Sequence, residues 1–130
     1  MRMKQVSVFV ENRPGRLRVV LDALAKAEIN IRALSIADTA DFGIVRMILS
    51  DTDKGLEAVR AAGFAASTND VLRVQIPDSP GGLLKTIAEP LAAAGINLEY
   101  VYAFSDNPLE HAVVVLKVGD TDAAEKLIGQ

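Results

Sequence analysis

Two hydrophobic periods alternate along the first half of the chain. Apolar residues at every second position predict strands, and apolar residues three or four positions apart predict amphipathic helices. Residues 4–10 show the first pattern, with a valine at every second position, and residues 14–27 show the second. The same reasoning predicts strands over 30–38, 43–50 and 64–68 and a helix over 51–62. The predicted order of the first half is therefore βαββαβ.

The second half repeats this order from residue 71. Residues 71–76 form a predicted strand, a helix and two further strands follow, and Asp120 begins the last helix. Asn69 and Asp70 stand between two predicted strands, so we interpret them as the turn that joins the halves. We expect the chain to stop at Gln130 without a counterpart of the strand at 64–68. The second half is therefore predicted as βαββα.

One short motif occurs twice and defines the repeat. The first copy is Glu-Asn-Arg-Pro-Gly-Arg-Leu at 11–17, and the second is Pro-Asp-Ser-Pro-Gly-Gly-Leu at 77–83. The numbering offset between the Pro-Gly pairs of the two copies is 81 − 15 = 66. Asn30 and Asn97 each follow the next helical pattern, and their offset is 97 − 30 = 67. A repeat of this length is a small domain rather than a solenoid unit.

The change of offset predicts an irregular helix in the second half, because one extra residue must be accommodated there. Pro90 lies within that helical pattern, where it removes a backbone hydrogen bond and clashes with the carbonyl group of Thr86. A kink or a one-residue π-bulge near Thr86 accommodates both irregularities. The offset of 67 is then expected to continue into the third strands, where it matches Ala112, Val114 and Leu116 with Val45, Met47 and Leu49.

These patterns predict an α+β fold made of two ferredoxin-like βαββαβ units. Each unit is expected to have an antiparallel sheet with its helices on one face. The predicted domains are residues 1–69 and 70–130, and the second lacks its last strand, which leaves an open edge in its sheet. Because a unit of this size buries little surface and is marginal alone, we expect the two units to pack on each other.

The composition excludes several classes of function. The chain has no cysteine, so it has no disulfide and no thiolate metal site. A net charge of −3 with only four phenylalanines, two tyrosines and no tryptophan is unsuited to nucleic-acid binding. No apolar run is long enough to span a bilayer, so no membrane partner is predicted. The absence of cysteine and of a signal-peptide pattern favours a cytoplasmic location.

No catalytic or metal-binding pattern is present in the sequence. His111 is the single histidine and begins a predicted strand, with no patterned serine or carboxylate pair near it in sequence. The aspartates at 38, 41, 51 and 53 are interpreted as turn and cap residues, because EF-hand spacing is absent. Neither glycine turn carries the lysine of a phosphate loop. We therefore predict a protein that is not an enzyme and needs no cofactor or metal.

The repeated motif, followed after one helix by Ile-Asn-Ile or Ile-Asn-Leu, resembles the ACT domain. That family comprises small βαββαβ modules that bind amino acids and regulate metabolic enzymes. The whole chain resembles a stand-alone tandem of two such modules. In the serine-sensing members of phosphoglycerate dehydrogenases, the asparagine before Arg-Pro-Gly and the asparagine that opens strand 2 contact the ligand between two modules. The resemblance assigns these roles to Asn12 and Asn30, whereas Val10 replaces a histidine of those members.

The chemistry of the motif agrees with this implied role. A glycine turn that opens a helix presents backbone N–H groups to a carboxylate, and an asparagine amide offers both donors and an acceptor. Such turns are often only turns, and Asn30 and Asn97 could instead end their helices in a left-handed conformation. Tyr100 and Tyr102 are candidates both for a side-chain pocket and for the core. The predicted ligand-binding residues are Asn12, Arg13, Pro14, Gly15, Arg16, Leu17, Asn30, Ile31, Asp78, Gly81, Gly82, Leu83, Asn97 and Leu98.

Two functions follow as hypotheses. The first is a regulatory, allosteric module that senses a free amino acid at the interface between ACT units. The alternative is a protein–protein interaction or dimerisation module without a small ligand. A homodimer is expected in either case, because Phe9, Ile44 and Ile48 place apolar side chains on the sheet face opposite the helices. An enzyme or regulator of amino-acid metabolism is the further partner that the resemblance implies.

Overall fold

A computed structural model of the protein describes residues 1–38, 40–107 and 111–128. Residues 129–130, at the end of the second predicted domain, lie outside the described residues. The strands are β1 (Arg2–Glu11), β2 (Ile31–Asp38), β3 (Phe42–Leu49), β4 (Ala65–Pro77), β5 (Leu98–Asn107) and β6 (His111–Val118). The helices are α1 (Arg16–Lys26), α2 (Thr52–Ala61), α3 (Glu89–Ala93) and α4 (Thr121–Ile128), with a π-helical segment, Leu84–Ala88, directly before α3.

The chain folds into two compact units. The first unit is Lys4–Asn69, and the second is Asp70–Gln130 together with Met1–Met3. In the first unit the strand order is β2-β3-β1-β4. In the second unit β6 lies between β5 and β4, and both pairs are antiparallel.

Each unit has its own core on one face of its sheet, formed by the strand residues that alternate inward and by the helices packed on them. This arrangement confirms the predicted α+β fold class. The first core contains Val6, Val8, Val10, Val20, Leu24, Ile29, Val45, Met47, Leu49, Val59 and Phe64. The second contains Leu72, Val74, Ile76, Ile87, Leu91, Val114, Leu116, Val118, Ala124 and Ile128.

The helix of the second motif contains the predicted π-bulge. The π-helical segment is centred on Thr86, and the N–H group of Glu89 donates to the carbonyl group of Leu84, five residues earlier. This wider turn takes up the extra residue and lies immediately before Pro90, which has no N–H group to donate. The prediction made from the offset and the proline is therefore confirmed.

The predicted offset of the third strands is wrong. Val8 lies opposite Val45 in the first unit, and Val74 lies opposite Val114 in the second. The first strands thus match at an offset of 74 − 8 = 66, but the third strands match at 114 − 45 = 69 rather than at 67. A two-residue shift leaves every side chain on the same face of the sheet, so hydrophobic alternation does not distinguish the two alignments.

The predicted turn at Asn69 and Asp70 is also wrong, because β4 continues through both residues. The Oδ1 atom of Asn69 accepts from Gln5 Nε2 at 3.3 Å and from Ser7 Oγ at 3.5 Å. Asp70 pairs with Arg2 at 3.5 Å. Polar partners along β1 therefore satisfy the side chains that would otherwise favour a turn.

Residues Met1–Met3 belong to the second unit and contact its first strand. Met1 and Arg73 exchange two backbone hydrogen bonds, of 3.0 and 2.7 Å, as antiparallel partners do. Arg2 also donates to Asp122 and, at 3.4 Å, to Glu125, and the hydrogen bond to Asp122 raises the pKa of its guanidinium group. The open edge that we expected in the second unit is therefore occupied at Arg73.

Helix α1 ends in a left-handed residue that is not a glycine. Glu28 has a φ of 60°, and the N–H group of Ile29 donates back to the carbonyl group of Leu24 at 2.9 Å. The second unit has the same bonding pattern, but there Gly95 takes the left-handed position with a φ of 70°. The left-handed role that we considered for Asn30 and Asn97 thus belongs to the residues two positions earlier.

Replacing Glu28 by glycine should stabilise the protein. A side chain in the left-handed region costs about 1 kcal/mol, and glycine removes that cost. We expect Glu28→Gly to raise the free energy of unfolding by about 0.5–1 kcal/mol, measured by urea denaturation. Glu57→Gly, within α2, is the matched control and should lower it by about 1 kcal/mol. A Glu28→Gly variant that is less stable than the parent would contradict this account.

Removing the Arg2 side-chain charge should loosen Met1–Met3 from the second unit. We expect Arg2→Met to lower stability only slightly, because its ion pairs are partly exposed. Amide hydrogen exchange of Arg73, whose N–H group donates to Met1, should accelerate by up to about fivefold. The amide of Gly119, bonded to Asn97 at 3.1 Å, should keep its rate. Equal acceleration at both amides would contradict a local role for Arg2.

Candidate functional site

The turn between β1 and α1 is set by Gly15, which has a φ of 86° and directly precedes the helix. The N–H group of Arg16 donates to the carbonyl group of Arg13, and that of Val19 donates to Gly15, both at 3.3 Å. Glycine is favoured here because side chains rarely adopt this backbone conformation.

The turn of the second motif has the same two backbone hydrogen bonds as the first turn. Gly82 donates to the carbonyl group of Ser79, and Lys85 donates to that of Gly81, both at 3.0 Å. Gly81 has a φ of 80°, close to that of Gly15. The two turns therefore differ in side chains rather than in backbone bonding.

The start of α1 offers backbone donors without a side-chain cap. Helix α2 is capped by Asp51, whose carboxylate accepts from the N–H group of Lys54 at 3.2 Å. Helix α1 begins after Gly15, which has no side chain, and its first turn contains no acidic residue. The N-terminus of α1 thus keeps the positive end of the helix dipole available to an anion.

A cavity of about 180 Å³ lies between this turn and the sheet. Its apolar lining comes from three strands and α1, through Val10 of β1, Ile36 of β2, Val45 of β3 and Leu17 of α1, and Gly43 of β3 also lines it. Its polar lining comes from the turn and the end of β2, through Glu11, Asn12, Arg13 and Asp38.

The strand register explains why residues distant in sequence share this cavity. Val10 lies opposite Gly43, and Gly43 lies opposite Asp38, so the three form one row across β1, β3 and β2. Val45 and Ile36 form the next row on the same face. Since Val10 and Val45 belong to the core beneath α1, this row ends on the helix side of the sheet.

The charged groups around the cavity are unevenly paired. Glu11 contacts Arg13 at 2.7 Å and the Nε atom of Arg16 at 3.8 Å. The guanidinium group of Arg16 also lies 4.8 Å from the centre of the Phe64 ring, as in a cation–π contact. Asp38, in contrast, has no ion pair among the described residues. Its carboxylate is the acidic group of the lining that no arginine engages.

Asn30 does not meet the turn within its own unit. Helix α1 has 11 residues and separates Asn30 from the turn by about 16 Å along its axis. The backbone of Asn30 instead exchanges hydrogen bonds with Ser50: its N–H group donates to Ser50 Oγ, and its carbonyl group accepts from the Ser50 N–H, both at 2.9 Å. Ile31 packs against the first core.

The predicted residues at the end of the second helix lie in a comparable place. The carbonyl group of Asn97 accepts from Gly119 at 3.1 Å. Asn97 lines a wide depression of about 890 Å³ in the second unit, which Asp120 and Lys126 also line. Leu98 packs against the second core. Asn97 and the second turn are therefore at opposite ends of their helix, as Asn30 and the first turn are.

The start of the second helix lies close against the end of β4. A Cβ atom added to Gly82 would lie 2.2 Å from the carbonyl oxygen of Pro77, so no side chain fits there. Asp78, Gly81 and Leu83 are exposed. A separate cavity of about 260 Å³ lies where β4 ends and β6 begins, lined by Gln75, Ile76, Pro77 and His111.

Tyr100 and Tyr102 do not line either cavity beside the two turns among the described residues. They lie next to Lys117 and Val115 in the register of β5 and β6. Val114 and Leu116 belong to the core on the helix side, so the two tyrosines are on the opposite face.

Sequence reasoning missed Asp38, Gly43 and Ile36 as lining residues. Their sequence signal is weak, because an aspartate at the end of a strand and a glycine at the start of the next are ordinary hairpin residues. Only the pairing of β1, β3 and β2 brings them beside the motif. Within the described part of the chain, no helix has the length and hydropathy needed to cross a bilayer.

Comparisons with known proteins agree with the geometry. A family model described as an ACT domain pair matches residues 1–129. A Bacteroides thetaiotaomicron protein of known crystal structure is 42% identical, and the match covers 98% of this chain and 86% of that chain with a TM-score of 0.90. No curated protein matches the chain.

Two more distant structures show the same fold. The regulatory subunits of aspartate kinase from Thermus flavus and Thermus thermophilus are 20% and 16% identical, with TM-scores of 0.71 and 0.69. Each match covers 98% of this chain and 91% of the other. With a family model that spans almost the whole sequence, the chain belongs to the ACT domain pair family.

Proposed function

We propose that this protein is a regulatory module that binds a free amino acid at the turn after β1. The observation that carries the proposal is the uncapped N-terminus of α1 beside a cavity whose lining combines donors, acceptors and apolar side chains. A zwitterion needs donors for its carboxylate and acceptors for its ammonium group, and apolar side chains suit an aliphatic ligand side chain. The same proposal includes two ACT-like domains, residues 1–69 and 70–130. It also includes a cytoplasmic location.

The carboxylate of the ligand is expected at the start of α1. Backbone N–H groups near Arg16 point along the helix axis, and the helix dipole favours an anion there. The guanidinium group of Arg13, which is 64% exposed, lies at the same end and can add a charge-assisted hydrogen bond. The side-chain amide of Asn12 can serve as either donor or acceptor.

The position of the ligand between two ACT units remains part of the proposal. Asn30 would reach the turn only from another ACT unit, because α1 separates it from Asn12 in its own unit. The same reasoning applies to Asn97 and the second turn. Allosteric regulation of an amino-acid-metabolising enzyme or regulator would then follow from ligand-dependent association of units.

The second part of this proposal is that the protein forms a homodimer. A homodimer is also expected under the alternative function, a protein–protein interaction module without a small ligand. Phe9 and Phe42 are 49% and 54% exposed. They lie in adjacent rows with Ile44 on the sheet face away from the first core, and Ala37 lies opposite Ile44. An exposed apolar surface of this kind is typical of an interface.

Light scattering tests the dimer. We expect a mass near twice 13.9 kDa at micromolar concentration. Phe42→Lys should shift the protein toward the monomer, because it places a charge in the apolar face. Leu127→Lys, at an exposed leucine of α4, is the matched control and should remain dimeric. A parent protein that is monomeric at this concentration would overturn the dimer.

A thermal-shift screen of the twenty amino acids tests ligand binding. One amino acid, or a few related ones, should raise the melting temperature, because binding stabilises the folded state by about 2.7 kcal/mol at a hundredfold excess over Kd. Asn12→Ala should weaken binding about tenfold, since it removes polar contacts at the site. If no amino acid at millimolar concentration shifts the melting temperature, the proposal is wrong.

Asn30→Ala distinguishes the two locations of the ligand. Weakened binding in Asn30→Ala as well as in Asn12→Ala would support a site shared between ACT units. Weakened binding in Asn12→Ala alone would support a site within the first unit and overturn the shared one. Each variant is compared with its own unliganded melting temperature, which separates a lost contact from lost stability.

A further inference from the structure

We infer that the cavity of the first unit takes a small amino acid with a short aliphatic side chain, and that the second turn takes none. Each chain would then bind one ligand through its first motif. This inference rests on the proposed function and adds the size of the ligand, the group that holds its amine and the number of sites.

The volume of the cavity limits the size of the ligand. A cavity of about 180 Å³ is smaller than the roughly 300–1,000 Å³ of pockets that hold drug-sized ligands. This small volume favours a small amino acid such as alanine or valine over an aromatic or a long cationic one. The neighbouring side chains of Val10, Leu17, Ile36 and Val45 are aliphatic. They offer no partner to a polar or charged ligand side chain, and burying such a group unpaired is unfavourable.

Gly43 determines how deep the cavity is. It lies between Val10 and Asp38 in the row that crosses the sheet. A Cβ atom added to Gly43 would lie 3.6 Å from the Ala37 carbonyl oxygen and 3.8 Å from that of Val10, which are ordinary contact distances. An alanine therefore fits the fold, but its methyl group would occupy space that the glycine leaves to a ligand.

Asp38 is placed to accept the amine of the ligand. It ends the same row as Val10 and Gly43, on the helix side of the sheet. Glu11, the other carboxylate of the lining, is engaged by Arg13 and lies near Arg16. Among the described residues Asp38 has no competing cation. An ammonium group at Asp38 and a carboxylate at the helix start would orient one amino acid across the cavity.

The second unit differs at each of these positions. Ala112 lies opposite Ile76 in the row that corresponds to Val10 and Gly43, so a methyl group already stands where Gly43 leaves space. The contact of Gly82 with the Pro77 carbonyl brings the helix start against the strand. Asp78 takes the place of Asn12 and would repel a carboxylate. These three differences disfavour the binding that the first unit allows. The cavity of about 260 Å³ in the second unit is lined by Gln75, Ile76, Pro77 and His111, so its lining lacks the helix start that would hold a carboxylate.

Titration calorimetry of the full chain tests the size limit and the number of sites. Alanine and valine are the small probes, and phenylalanine and lysine are the large ones. We expect binding of a small probe at one site per chain and no binding of the large ones. Preferential binding of phenylalanine or lysine, or two sites per chain, would overturn the inference while leaving the proposed function intact. Binding of no amino acid at all would instead remove the proposed function.

Two substitutions at equivalent positions, Gly43→Ala in the first unit and Ala112→Gly in the second, test whether the ligand binds in the cavity of the first unit. Gly43→Ala should weaken the bound probe at least tenfold without lowering the unliganded melting temperature, because the methyl group fits the folded chain. Ala112→Gly should leave affinity and the number of sites unchanged. Unchanged affinity in Gly43→Ala, or weakened affinity in Ala112→Gly, would show that the ligand binds elsewhere.

Asp38→Asn tests the amine contact with a readout that general structural damage does not reproduce. The parent should prefer alanine or valine to the matching acids that lack the amine, propionate for alanine and isovalerate for valine. Asp38→Asn should lose most of this preference, because the neutral amide no longer attracts an ammonium group. If the preference for the amine is as large in Asp38→Asn as in the parent, Asp38 does not hold the amine.

Discussion

The left-handed backbone at Gly15 is the constraint on which the first unit depends. It turns the chain from β1 into α1 within a few residues, so that Val20 and Leu24 face the valines of β1 across one core. Because the turning residue is a glycine, the first turn of α1 is left without the side-chain cap that α2 and α4 possess. The left-handed conformation of Gly15 therefore positions α1 over the core. It also leaves backbone N–H groups at the start of α1 available beside the cavity of the first unit.

The second copy shows that the same backbone does not imply the same site. Gly81 repeats the dihedral angle and the hydrogen bonds of Gly15. The side chains around it differ: glycine replaces Arg16, and alanine replaces Gly43 in the row that forms the floor of the cavity. The turn is retained as a structural element because it starts the helix, while the space beside it depends on neighbouring side chains. A fold of this kind can keep its repeat and differ in chemistry between the copies.

Strand pairing also decides how the N-terminal residues are used. Lys4 to Glu11 belong to the sheet of the first unit, whereas Met1–Met3 pair with β4 of the second. The two backbone hydrogen bonds between Met1 and Arg73 cover part of the edge of β4. Arg2 strengthens this contact through Asp70, Asp122 and Glu125, all of the same unit.

The sequence by itself determined the order of the elements, the fold class and the irregular helix near Thr86. These depend on local constraints: period-2 and helical spacing, the conformation that Pro-Gly allows, and the hydrogen bond that Pro90 removes. It also contained the motif that marks the ACT family.

Only the tertiary structure decided the register of β6, the continuity of β4 and the composition of the cavity. Alternation along a strand is unchanged by a two-residue shift, so the offset of 69 could not be separated from 67 by pattern. Asn69 and Asp70 have turn propensity, which hydrogen bonds from Gln5 and Ser7 and the ion pair with Arg2 override. Asp38 and Gly43 become neighbours of Val10 only when β3 pairs with both β1 and β2. Contacts between residues far apart in sequence, rather than local preferences, set these features.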